Sequence, residues 1–122
     1  MNDAFVFDTY ALIEIIRGNK NYIPYLKATP IINEFIFAEL CFNLIREYGI
    51  ARSSNILNKY IDAIVVPNPK LIQNAMVYRL QHKKSNISMT HCIGYLQAQE
   101  LRIPFLTGDK EFKDLPYVEF VK

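Results

Sequence analysis

The sequence predicts an α/β fold, in which a parallel sheet lies between layers of helices. Short apolar runs alternate along the chain with longer segments whose apolar residues recur at helical spacing. Strands separated by helices pair in parallel through right-handed crossovers, which produces a three-layer α/β/α sandwich. Of the 122 residues, 51% are hydrophobic and 21% are charged, so we expect one folded domain that comprises residues 1–122.

The first part of the chain contains two predicted strands. Ala4–Phe7 is short and apolar and is followed by Asp8, a pattern typical of a buried strand. Apolar residues then follow helical spacing over Thr9–Gly18, and a short helix is expected at Tyr22–Lys27. The second predicted strand is Pro30–Ile32.

The middle of the chain is predicted to be mainly helical. Asn33 is a suitable cap for a helix that ends at Gly49 and is apolar almost all round. A further helix is predicted at Ser53–Ala63, and the run 63–67 is predicted to be a third strand. A long amphipathic helix is expected to begin at Pro67 or Pro69 and to end near residue 84.

The last part of the chain supplies one helix and two strands. Ser88 is a suitable N-cap for a helix whose apolar residues include Ile93 and Leu96. Strands are predicted at Pro104–Leu106 and at Tyr117–Val121, which brings the parallel sheet to five strands.

Charge, cysteine content and hydropathy exclude several classes of protein. Lysine and arginine total 14 against 12 acidic residues, and a formal charge of +2 gives no general field for binding polyanions. Cys41 and Cys92 lie in apolar helical patterns and are expected to be small buried hydrophobes rather than a disulfide or zinc site. The chain shows neither a signal-peptide pattern nor a run of about 20 apolar residues, so we expect a cytoplasmic protein that does not enter a membrane.

Three acidic residues are expected at one edge of the sheet. Asp8 follows the first strand, Asp109 follows the fourth, and Glu39 lies inside the apolar helix after the second strand. Clustered carboxylates repel one another unless a cation neutralises them, and oxygen-only ligands suit Mg²⁺ or Mn²⁺. Each residue also has a local explanation: Asp8 as a helix cap, Asp109 as a turn residue and Glu39 in a surface ion pair.

Three segments together resemble a known family. "FVFDTYALIEIIRG", "FAEL" and "IPFLTGDKEFKDLPYVEFV" occur in the order found in PIN-domain nucleases, especially the small prokaryotic toxins of the VapC type. The resemblance covers nearly the whole chain. It implies a metal-dependent ribonuclease with an α/β/α sandwich on a five-stranded parallel sheet.

The resemblance also implies which residues form the site. The family's acidic metal ligands correspond to Asp8, Glu39 and Asp109, with Mg²⁺ or Mn²⁺ as the cofactor. Thr9 and Thr107 are expected to orient these carboxylates; local capping of the backbone is the alternative role for both threonines. A further catalytic aspartate is expected in the first turn of the helix that follows Ser88, and this chain has His91 there.

His91 is unusual on physical grounds as well, because the first turn of a helix favours a carboxylate over an imidazole. With one of four acids missing, we expect reduced metal affinity and impaired cleavage. The histidine is either a natural variation of the site or an inactivating change, unless the motif lies in another register. The alternative function is a catalytically inactive PIN-fold module that binds RNA or protein.

The resemblance implies RNA as substrate, an antitoxin as partner and a homodimer as assembly. The helix after Asn33 and the helix at Ser53–Ala63 have more apolar residues than one buried face needs. We expect them to form a projecting pair with an apolar groove for an antitoxin segment, although both helices could simply complete the core of the monomer. The apolar residues are Phe35, Phe37, Leu40, Phe42, Leu44 and Ile45 on the first helix, and Ile56, Leu57, Tyr60 and Ile61 on the second.

Contacts to substrate phosphates require cationic side chains near the acidic edge. The candidates are Arg17, Lys20, Lys83, Lys84, Lys110 and Lys113.

Overall fold

The computed structural model describes residues 3–122. Four strands make up its sheet: β1 (Ala4–Phe7), β2 (Thr29–Ile31), β3 (Phe105–Thr107) and β4 (Val118–Phe120). The α-helices are α1 (Thr9–Ile16), α2 (Glu34–Tyr48), α3 (Ile50–Leu57), α4 (Pro69–Gln81) and α5 (Met89–Leu101). Short 3-10 turns occur at Lys20–Tyr25, Ile61–Ala63 and Lys110–Phe112. Within residues 3–122 no helix is long and apolar enough to cross a membrane.

The sheet is parallel throughout, and its strand order is β2-β1-β3-β4. Val6 aligns with Phe105 on the neighbouring strand, so Phe5 and Phe105 lie on opposite faces of the sheet. Phe5 packs against Tyr25 at one face, whereas Phe105 packs against Tyr95 of α5 at the other. Both faces are therefore covered, and the predicted α/β sandwich with a parallel sheet is confirmed.

The predicted fifth strand at residues 63–67 is wrong for the part of the chain that the structure describes. Only one parallel bridge forms there, between Ile32 and Ile64. Val65 N–H donates to the Ile32 carbonyl, but the next partner in a parallel ladder would be Glu34, which already begins α2. The Val65 carbonyl instead accepts from the side chain of Gln97 at 2.9 Å. A side-chain amide thus ends the ladder after a single bridge.

Helix boundaries agree with the prediction where a capping residue marks them. Ser88 caps α5 and Asn33 caps α2, each through its side-chain oxygen. The predicted helix at Ser53–Ala63 is wrong in extent, because α3 covers Ile50–Leu57 and only a 3-10 turn follows at Ile61–Ala63. The chain turns there so that the Ala63 carbonyl can accept from Ile32 N–H.

The apolar residues of α2 divide between the core and the surface. Leu40 and Leu44 are buried, whereas Phe42 is 65% and Ile45 is 43% exposed. On α3 the division is similar, since Leu57 is buried and Ile50 is 76% exposed. Each helix therefore completes the core on one side and leaves apolar side chains on the other.

Candidate active site

The candidate site lies where the chain path reverses across the sheet. From β1 the chain moves to β2 on one side, and it later returns to β3 on the other side of β1. Crevices form beyond the carboxyl ends of strands at such a switch point. Asp8 directly follows β1, and Asp109 lies two residues after β3.

Asp8 is fully buried and has protein partners at both carboxylate oxygens. Its Oδ1 accepts from Thr9 N–H at 2.9 Å, which caps α1. Its Oδ2 accepts from the Thr107 hydroxyl at 2.7 Å. Burial raises the pKa of Asp8 above its usual value; the nearby His91 ring and these hydrogen bonds oppose the shift only in part. The carboxylate is therefore held in place but its charge is poorly compensated.

His91 lies between the two aspartates. Its Nε2 is 3.5 Å from Asp8 Oδ2 and 3.5 Å from Asp109 Oδ2. At the other side of the ring, Nδ1 accepts from Ser88 N–H at 3.5 Å, while His91 N–H donates to Ser88 Oγ. These contacts place Nδ1 beside the backbone of Ser88 and leave Nε2 facing both carboxylates. The ring edge packs on Phe112.

Thr107 connects the two aspartates through one hydroxyl group. Besides donating to Asp8, this hydroxyl accepts from Asp109 N–H at 3.1 Å. Asp109 Oδ1 in turn accepts from Glu111 N–H at 3.0 Å, and the aspartate caps the 3-10 turn that follows. The other oxygen, Oδ2, faces His91. Oδ1 of Asp109 therefore caps the turn, while Oδ2 of the same side chain faces the candidate site.

Glu39 joins this group through a threonine. It is half-buried in the second turn of α2, and its Oε1 accepts from the Thr9 hydroxyl at 2.8 Å. Thr9 donates from its backbone to Asp8 and from its side chain to Glu39, so both threonines expected to orient the acids contact them. All four residues predicted for the site lie at the same edge of the sheet.

The types of side chain at this site suit a hard divalent cation, but their positions do not form a metal-ion site. Carboxylate oxygens of Asp8, Glu39 and Asp109 are ligands of the kind that Mg²⁺ and Mn²⁺ prefer, and a cation would compensate the buried charge of Asp8. Across residues 3–122, however, no three His, Cys, Asp or Glu side chains have the arrangement of a metal-ion site. His91 Nε2, which is not a carboxylate oxygen, lies beside the Oδ2 atoms of both aspartates.

The predicted cationic side chains fall into different surroundings. Arg17 is already paired with Glu47 at 3.1 Å, and Lys83 lies with Arg79 in a cleft beside the end of α4. Lys110 and Lys113, by contrast, line a cleft of about 410 Å³ that reaches Asp109. Three further residues line this cleft that the sequence motifs did not predict: Tyr10, Phe120 and Lys122. For Tyr10 a signal was present, since it follows the Asp8–Thr9 pair at the start of a helix.

Comparison with known proteins agrees with the fold and with the motifs. The sequence profile of the PIN domain matches residues 5–117, whereas no curated protein matches the sequence. Among solved structures, a toxin-antitoxin complex from Klebsiella pneumoniae is 20% identical with a TM-score of 0.73, covering 94% of this chain and 95% of its own. VapC20 of Mycobacterium tuberculosis, a sarcin-ricin loop cleaving toxin, is 16% identical with a TM-score of 0.75, covering 98% and 99%. PAE2754 from Pyrobaculum aerophilum is 16% identical with a TM-score of 0.67, covering 95% and 85%.

These solved structures, at 16% to 20% identity, share the fold of this chain. The profile match is the more specific result, since it spans most of the sequence and includes both predicted aspartates, Asp8 and Asp109. The chain belongs to the PIN domain family.

Proposed function

We propose that the protein is an endoribonuclease of the VapC toxin type that depends on Mg²⁺ or Mn²⁺ and is impaired by His91. One observation carries the proposal: the carboxylates of Asp8 and Asp109 point at a common position beyond the carboxyl end of the sheet, and His91 Nε2 lies there. Similarity in fold to a sarcin-ricin loop cleaving toxin supports RNA as the substrate.

The acids have distinct roles in this proposal. Asp8 and Asp109 would hold the divalent ion, and Glu39 would bind it directly or through water, or position the attacking water. When bound, the ion lowers the pKa of water for in-line attack on a phosphodiester and offsets the charge that develops on the phosphate. Thr107 fixes Asp8 and the turn before Asp109, while Thr9 holds Glu39 toward the site. These hydrogen bonds form within the chain and do not require the ion.

His91 weakens the site for a physical reason. An imidazole contributes no negative charge, and its Nε2 lies beside the carboxylate oxygens that the ion would need. An aspartate at the same position would keep the Ser88 cap, because the first turn of α5 favours an acid. It would also provide the missing carboxylate.

The test is RNA cleavage by the chain as it stands and by the His91→Asp variant, each with Mg²⁺, with Mn²⁺ and with EDTA. Loss of a residue that only hydrogen-bonds a metal ligand lowers metal affinity or activity by roughly 10- to 100-fold. Because His91→Asp restores a carboxylate at the site itself, we expect the variant to cleave RNA faster than the unmodified chain by at least that factor. His82→Asp is a matched control, since it makes the same substitution at the exposed end of α4. His91→Asp combined with Asp8→Asn controls for contaminating nuclease.

The competing function is a catalytically inactive PIN-fold module that binds RNA or protein, and it is favoured by the same His91 contact. Binding of RNA without cleavage, in both the present chain and His91→Asp, would support it. Rapid cleavage by the present chain that His91→Asp leaves unchanged would instead show that position 91 has no part in catalysis.

An antitoxin and a second copy of the chain are the proposed partners, and α2 with α3 is the proposed surface. Phe42, Ile45 and Ile50 are exposed there, which supports an apolar contact. A neighbour in fold is a toxin-antitoxin complex, and this supports an antitoxin as one partner. We further propose that the protein acts in the cytoplasm.

Light scattering at several concentrations tests this surface, with Phe42→Glu beside the unmodified chain. Because Phe42 is 65% exposed, the substitution should abolish association and leave the fold intact. A protein that is monomeric at every concentration, and that Phe42→Glu unfolds, would mean that both helices serve only the core.

A further inference from the structure

A cleft beside the candidate site combines aromatic and cationic side chains. Its volume is about 410 Å³, and Asp109 forms part of its wall. The other principal lining residues are Tyr10, Lys110, Lys113, Phe120 and Lys122. Whatever binds in this cleft therefore lies next to a carboxylate of the candidate site.

Three of the 14 lysines and arginines line this cleft, although the whole chain has a formal charge of only +2. Lys110, Lys113 and Lys122 are all exposed residues. Phosphates would be repelled by the acids at the sheet edge, and three neighbouring ammonium groups offset that repulsion. Lys113 Nζ lies 5.9 Å from the centre of the Phe120 ring, so charge and aromatic surface meet in the same cleft.

Tyr10 is placed at the cleft by the turn after β3. A Cβ atom at Gly108 would lie 2.1 Å from Cε1 of Tyr10, so only glycine allows the ring to pack this closely over the turn. The ring is half-buried and lines the cleft. An aromatic ring beside lysines is the arrangement with which proteins bind an unpaired base and its phosphates.

We propose that this cleft is the subsite for one unpaired nucleotide of single-stranded RNA, adjacent to the position of cleavage. The inference rests on the proposed ribonuclease function. The base stacks on Tyr10 or Phe120, and the flanking phosphates contact Lys110 and Lys113. The volume is near the lower end of the roughly 300–1,000 Å³ usual for ligand pockets, which suits a single nucleotide.

The experiment measures binding without cleavage, by fluorescence anisotropy of labelled oligouridine in EDTA. Tyr10→Leu removes the ring, whereas Tyr10→Phe keeps it and is the conservative control. The double variant Lys110→Gln with Lys113→Gln is compared with Lys27→Gln plus Lys59→Gln, which removes the same charge from exposed positions outside the cleft. Circular dichroism and thermal unfolding show that each variant is folded.

We expect Tyr10→Leu to weaken binding of oligouridine by roughly five- to hundredfold, the range for one stacked base, and Tyr10→Phe to bind as the unmodified chain does. Removal of the two cleft lysines should reduce the slope of log K against log salt by about 1.4, since each phosphate contact with a single strand contributes about 0.7. The control pair should leave the slope unchanged. A duplex RNA of equal length should bind more weakly than the single strand.

Several results would overturn the inference. One is that Tyr10→Leu binds oligouridine as tightly as the unmodified chain does. Another is that the two lysine double variants have equal slopes of log K against log salt. Competition by a polyglutamate peptide as effective as that by oligouridine would assign the cleft to an acidic protein segment instead. Failure of the proposed function is a separate outcome: His91→Asp would then cleave no RNA with Mg²⁺ or Mn²⁺, whether or not Tyr10→Leu weakens the binding of oligouridine.

Discussion

Thr107→Val should reveal how strongly the two aspartates depend on one buried hydroxyl. The hydroxyl donates to Asp8 Oδ2 and accepts from Asp109 N–H, and valine replaces it with a methyl group of similar size. A hydrogen bond to a charged group contributes about 1.5–3 kcal/mol, and one to a backbone N–H about 0.5–1.5 kcal/mol. We therefore expect Thr107→Val to lower the free energy of unfolding at pH 7 by about 2–4 kcal/mol.

The effect should also depend on pH. Burial raises the pKa of Asp8, so the folded chain holds a proton on this carboxyl more tightly than the unfolded chain does, and stability falls as pH rises through that interval. The Thr107 hydroxyl favours the ionised form and lowers the pKa of Asp8. Its removal raises this pKa further, so the loss of stability should be larger at pH 7 than at pH 4.

Urea unfolding followed by far-UV circular dichroism at both pH values measures the effect of Thr107→Val. Thr107→Ser is the matched control, because it keeps the hydroxyl and loses only a methyl group, at a cost of about 1 kcal/mol. The reasoning is refuted if valine and serine are equally stable at pH 7, or if the valine penalty is the same at pH 4.

Three further predictions concern the site and its surroundings. Without metal, His91→Asp should lower the melting temperature, because the new carboxylate then faces those of Asp8 and Asp109. Mn²⁺ should raise the melting temperature of this variant more than that of the unmodified chain, and an equal rise in both proteins would contradict this. Arg17→Ala should change stability by less than about 0.5 kcal/mol and leave RNA affinity unaltered, since Arg17 forms an exposed pair with Glu47; a clear loss in an anisotropy titration would show a phosphate contact. Gly108→Ala should destabilise the fold by about 1–3 kcal/mol, because its Cβ would overlap both the Tyr10 ring and the Val121 carbonyl oxygen; an unchanged urea midpoint would show that the turn after β3 shifts to make room.

Local signals made part of the fold predictable. The capping oxygen of Ser88 and the apolar run Ala4–Phe7 act within a few residues, so the start of α5 and the first strand follow from the sequence. Whether residues 63–67 form a strand depends instead on the groups that lie beside them in the fold. Gln97, more than 30 residues away along the chain, takes the Val65 carbonyl that a strand would have used, and no pattern in the run 63–67 reveals this.

The candidate site shows the same division. The positions of Asp8 and Asp109 follow from strand ends, because parallel strands bring their carboxyl ends to one edge. The position of His91 between both acids depends on how α5 packs against the sheet, which places Nε2 3.5 Å from Oδ2 of each aspartate. The pairing of Arg17 with Glu47 joins α1 to α2 and likewise depends on packing.

The placement of Asp8 and Thr107 on neighbouring strands has a consequence for biosynthesis. Their hydrogen bond closes a loop of 99 residues, because β3 can pair with β1 only after α2 to α5 have been made. At about 5–20 residues per second, the ribosome needs roughly 5–20 s between these two positions. During that time the growing chain has Asp8 but not Asp109, and one edge of β1 has no strand to pair with because β3 has not yet been made. A chain synthesised in this order acquires its acidic pair only when its sheet is nearly complete, so under the proposed function an unfinished chain on the ribosome has no assembled site for RNA cleavage.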